Sequence, residues 1–152
     1  MHELIARARA FAHGDLGVAD GIRLRFVGGV PASETHSPAS IAAVRAAGQA
    51  AAVPHMGAHA LGAAAYAAKA AALVAPDRAD AASDEIRWQF GNMAPEIRAA
   101  LRTLPPVGEN ASGPLGRGLL ATGALGRNVG ALQALLTRSE EALRSTEHQR
   151  LQ

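Results

Sequence analysis

Eighteen of the chain's 37 alanines fall between Pro38 and Val74, where few other residue types are admitted. Alanine is the strongest helix former and is depleted in strands, so this stretch is expected to be helical. It is apolar nearly all round, the pattern of a helix enclosed by others. Pro54 interrupts it and removes one backbone bond, which predicts either one kinked helix or two abutting ones. We expect an all-α fold: a single-domain helical bundle around an Ala-rich, Pro-kinked central helix. Aromatic residues make up only 3% and strand-favouring residues are thinly spread, which excludes an ordinary β-sandwich or barrel.

A membrane span is the other structure that a long apolar run can form. The run from Ala58 to Ala75 reaches the usual threshold of about 18 residues. It contains Lys69, His59 and Tyr66, and its many alanines gain little from hydrocarbon, so it reads as a buried soluble helix with no membrane partner. The chain has no cysteine, which excludes disulfides, Cys-ligated zinc and thiol catalysis. The opening MHELIARARAFAHG has neither the apolar run nor the cleavage pattern of a secretory signal, so the expected compartment is cytoplasmic. Net charge is +2, and 14 of the 15 basic residues are arginines dispersed along the chain. A nucleic-acid binder concentrates such charge and interleaves aromatics, so no nucleic-acid partner is expected.

Outside the central stretch, glycine and proline divide the chain into helix-length pieces. Leu4, Ile5, Ala8 and Phe11 have helical spacing, and Gly14 can close that helix in a left-handed cap. Val18, Ile22 and Phe26 recur at i, i+4, i+8 in a second piece, followed by a loop, GGVPASETHSP. Ser37-Pro38 is a strong helix start. Further on, Ile86, Phe90 and Met93 form one inner stripe, and Ile97 and Leu101 another in a helix begun by Pro95. The Pro/Gly-rich segment LPPVGENASGPLGRG is a long connection of the kind that often carries function. Helix then resumes, and Glu140 with Arg144 and Glu147 with Arg150 mark a solvated end. We divide the chain into a domain over 1–137 and a solvated C-terminal helix or tail over 138–152.

Polar groups in the central stretch are few enough to weigh singly. At about 100° per residue, His55, His59 and Tyr66 lie within roughly 40° on one face, with Lys69 nearby. HMGAH has the i, i+4 His spacing of metal helices but lacks the intervening Glu of zinc hydrolases. A third ligand would have to come from Glu109, Asp84 or His36. The simpler expectation is a buried polar cluster bonded to its surroundings, with no metal or cofactor. Trp88 lies about 200° from Ile86, off the apolar stripe, where it either packs on a second helix or anchors a partner with Arg87 on the rim. GPLGRG lacks the GK[ST] ending of a phosphate loop and has no strand before it. No catalytic residue set emerges, so the chain does not read as an enzyme.

Four strings, IARARAFAHGDL, RAAGQAAAVPHMGAHALGAAAYAAKA, DEIRWQF with PEIRAAL, and LPPVGENASGPLGRGLLATGALG, resemble the immunity-protein-five-like group of bacterial polymorphic-toxin systems, which is common in actinomycetes. The likeness covers most of residues 3 to 135, and the ordered Gly, His, His, Gly, Tyr and Lys of the second string is its most specific part. The resemblance implies an all-helical protein that binds and neutralises a cognate toxin, and it supplies no catalytic residues. Candidate contacts are Arg87 and Trp88, together with Glu109 and Asn110 in the long loop. The alternative is a small-ligand or metal-binding protein using the His55/His59/Tyr66 face. Members of the group carry a further helix before the region matching Glu3 to Phe11, which makes a homodimer through Leu4, Ile5 and Phe11 a third expectation.

Overall fold

Ser37 and Pro38 start the central stretch as the sequence requires. The Ser37 hydroxyl accepts the Ser40 backbone N–H at 3.1 Å, the Ser37 N–H donates to the Ser40 hydroxyl at 3.1 Å, and Pro38 takes the first helical position. The structure, a computed structural model, describes residues 1–25, 27, 28 and 37–150; in the last helix it describes side chains up to 141 and those of 145 and 149. Helix α1 is His2–His13, α2 Val18–Leu24, α3 Pro38–Ala51, α4 His59–Val74, α5 Ala81–Gly91, α6 Pro95–Arg102 and α7 Gly123–Arg150, with a 3-10 turn at Leu119–Ala121. The fold is all-α, and no described helix is long and apolar enough to cross a membrane.

The expected Pro-kinked central helix is replaced by a hairpin. Pro54 offers no N–H to continue α3, and the chain passes through turn bonds from Ala52 to Gln49 and from His55 to Ala52 before α4 begins. Arg45 lies over Tyr66, and Gln49 meets both Gly62 and His59, a register that runs α3 and α4 antiparallel. Pro54 also docks α2, because a Cβ at Gly21 would come within 2.7 Å of its ring. That close approach corrects the expected Val18–Ile22–Phe26 face. Gly21 is the buried residue of α2, Val18 is 56% exposed, and Phe26 lies outside the described residues, as does most of the expected loop after Gly28.

Alanine helices bring little volume to a core, and α7 supplies it. Leu125, Val129, Leu132 and Leu136 recur at i, i+4, i+7, i+11 and are buried against Leu61, Ala65 and Ala68 of α4 and Ile86 of α5. A smaller cluster joins Leu4 of α1 to Ala47 and Ala51 of α3. Arg7 fastens α1 to the end of α2 by donating to the carbonyls of Leu24 and Val27. In α6, Leu101 is buried as expected but Ile97 is 52% exposed. The inward face runs through Arg98 instead, whose guanidinium sits 4.2 Å over Phe90 and donates to the Phe90 carbonyl at the end of α5. Glu140 pairs with Arg102 at 3.3 Å, while the side chains of Arg144, Glu147 and Arg150 lie outside the described ones.

The Pro/Gly-rich segment is a loop, but a pinned one. Leu115 is fully buried, and its carbonyl accepts the Gly108 N–H at 2.8 Å. Gln133 of α7 accepts the Val107 N–H and donates to the Pro105 carbonyl. Where the loop returns to helix, a Cβ at Gly126 would lie 2.6 Å from the Ala121 backbone carbonyl, whereas one at Gly130, a turn further on, would meet nothing within 4 Å. The two glycines therefore respond oppositely to alanine. Gly126→Ala should lose about 2 kcal/mol, because backbone must shift, while Gly130→Ala should gain up to about 1 kcal/mol from helix propensity. Denaturant melts of the two variants check both signs.

Candidate functional site

Of the four polar residues predicted to share a face, three do. His55, His59 and Tyr66 line one cleft of about 440 Å³, closed on its far side by Gly113, Pro114 and the turn at Leu119 and Leu120. The two imidazole centroids are 6.2 Å apart. His55 is exposed in the turn, His59 is half-buried at the start of α4, and Tyr66 is buried. His59 Nδ1 and Gln49 Oε1 are 2.7 Å apart. With the amide oxygen accepting, the ring proton stays on Nδ1 and the Nε2 lone pair remains free. Gly62 makes room for that amide, since a Cβ there would lie 2.5 Å from Gln49 Oε1. Across the hairpin the Arg45 guanidinium stands 5.8 Å from the Tyr66 ring centroid.

Burial lowers the His59 pKa below its ordinary value of 6.5, and the neighbouring His55 charge lowers it further. His59 is therefore neutral at neutral pH. The unfolded chain takes up its proton at higher pH than the folded chain does, so acidification below about 6.5 favours unfolding. The potential metal ligands do not converge here. Asp84 is held by Arg78 and Arg87, His36 lies outside the described residues, and no three His, Asp or Glu side chains gather as a metal set among the described residues.

Lys69 departs from the group. It lines a different cleft, between α4, α5 and α7, with Arg127 and Asn128. Three residues of α4 separate it from Tyr66, a rotation of about 60° around the helix, which takes it from the one cleft to the next. Glu109 is exposed on the loop; Asn110 forms an isolated bridge with Gly116, and its side chain accepts the Ser112 N–H at 3.4 Å.

Trp88 is 62% exposed, so of its two expected placements it takes the outward one. Arg87 beside it is paired with Asp84 at 2.6 Å. The Trp88 ring borders an apolar groove of about 720 Å³ that the sequence reading did not find. Its floor consists of Ala43, Ala46, Ala47 and Ala50 of α3 facing Ala60, Ala63, Ala64 and Ala67 of α4, with Ile5 and Met93 at the sides. The signal was present: each quartet has the spacing i, i+3, i+4, i+7, one stripe on each helix of a hairpin. Seeing that the stripes meet required knowing that the chain reverses at Pro54. Leu4, expected at a dimer contact, is buried inside its own chain, while Ile5 faces the groove.

Fold and site together define an all-helical bundle whose alanine hairpin leaves one side open as an apolar groove. Residues 1–96 match the family described as Imm-5 like putative immunity protein, and the chain belongs to that family. No curated protein and no solved structure matches it.

Melting the wild type and a His59→Gln variant at pH 7 and pH 5 tests the protonation state of His59. The wild type should lose more stability on acidification than the variant; equal losses would show that His59 contributes nothing to acid sensitivity.

Proposed function

We propose that this chain protects the cell that makes it by binding a cognate toxin in the cytoplasm, and that the groove beside Trp88 is the contact surface. The observation that carries the reading is that every residue lining the groove, from Met1 to Met93, lies within the segment matched by the immunity family. An indole projecting beside an apolar floor has the composition of a binding hot spot, and Arg87 supplies a polar rim. The role is one of occlusion by binding and needs no catalytic group. In this reading residues 1–137 form the working domain, 138–152 are an exposed extension of α7, and Glu109 and Asn110 are secondary contacts. The alternative, a ligand site on the His55/His59/Tyr66 face, has less support, because the described residues gather no third metal ligand there.

Co-expression with the toxin of a neighbouring gene tests the proposal. Wild type should protect the cells and co-purify with the toxin. Trp88→Ala should weaken binding by at least about 2 kcal/mol, or roughly 30-fold. Ala63→Glu, which places a charge on the groove floor, should abolish protection while leaving the helical content intact. Full protection by both variants would remove the groove from the reading, and absence of any protection by wild type would sink the toxin-binding role itself.

A further inference from the structure

We propose that the cleft where α4, α5 and α7 meet binds a small organic anion with an apolar body, a medium-chain carboxylate, through Lys69 and Arg127. The inference is independent of the toxin-binding reading and concerns a different side of α5. Lys69 is the only lysine in the chain, and it is half-buried on a helix otherwise built of alanine and other apolar residues apart from His59 and Tyr66. Arg127 reaches the same cleft from α7. Neither cation has an ion pair among the described residues, and no carboxylate lines the cleft. Both cations line the one cleft, so an anion bound there can meet the two together.

The rest of the wall sets the kind of anion. Leu73, Ile86 and alanines from all three helices make most of the surface, and Ser83 and Asn128 add the remaining polar atoms. Asn128 is buried and its amide is already committed to the Ala65 carbonyl at 3.1 Å, which fixes the floor. A cleft of about 470 Å³ is within the range of small-molecule sites, which are mostly apolar with a few placed charges. A bare inorganic anion would leave the apolar wall uncovered, and a neutral molecule would leave both cations unpaired.

A single lysine gives a clean readout. The protein is treated with acetic anhydride in the presence of octanoate, octanol or inorganic phosphate, with free Nα-acetyllysine as internal standard, and modification at Lys69 is followed by mass spectrometry. Octanoate at about ten times its dissociation constant should slow Lys69 acetylation about tenfold relative to the standard. Octanol and phosphate at the same concentration should give little protection. Arg127→Gln, an exposed position where folding is not at stake, should weaken octanoate protection about tenfold, whereas Arg117→Gln should leave it unchanged. Equal protection by octanol would reduce the site to an apolar dent, equal protection by phosphate would remove the apolar requirement, and no saturable protection by octanoate, or none lost in Arg127→Gln, would overturn the proposal.

Discussion

Two helices made largely of alanine can approach closely, but they cannot fill a core by themselves, and the rest of the fold answers that constraint. A methyl group buries little area, so the α3/α4 hairpin gains little from its own contact at about 25 cal/mol per Å². Volume has to come from outside it. On one side α7 brings Leu125, Val129, Leu132 and Leu136, and the loop adds Leu115, all buried. Each such side chain is worth about 1.5–3 kcal/mol on burial, so α7 is the element that makes the hairpin stable. The loop is pinned for the same reason. Gln133 bonds on both sides of Pro106, which holds the segment that delivers Leu115.

The other side of the hairpin receives no comparable filling. Helices α1 and α5 flank it, contributing Ile5 and Met93 at the edges, and among the described residues none covers the alanine floor between them. A groove is thus the direct consequence of using small residues on two faces while large residues cover only one. Trp88 stands beside it because α5 turns Ile86 inward, and a residue two positions along a helix points roughly the opposite way.

Much of this was legible from sequence, and the failures share one cause. The cap at Ser37, the left-handed Gly14, the helix at Pro95 and the inward Ile86 and Leu101 follow from local chemistry, and all are present. The hairpin is a tertiary outcome: Pro54 alone is compatible with a kink, and a buried docking place at Gly21 helps to hold the reversal. Extrapolating one helix through Pro54 hid the facing alanine stripes, while Lys69, only about 60° around α4 from Tyr66, is assigned to its own cleft by the helices packed beside it. Ile97 was misread for a related reason. Its spacing to Leu101 was apolar, but Arg98 finds a carbonyl and an aromatic face at the end of α5 that periodicity does not register.

The polar residues of the hairpin divide according to where its register leaves them. Arg45 and Gln49 on α3 face Tyr66 and His59 on α4, and Gly62 provides the space for the Gln49 amide. These groups meet one another, and a hydrogen bond formed within the protein returns a modest net gain of about 1 kcal/mol while avoiding the larger penalty of an unsatisfied buried group. They hold the two helices in register. Lys69 of α4, and Trp88 of the neighbouring α5, lie off that seam, the first in a cleft with a second cation and the second in solvent beside the groove. Internal packing accounts for the first set and not for the second. A chain that uses alanine so freely would satisfy its fold with alanine at both positions, so it is the residues turned away from the seam that call for a partner.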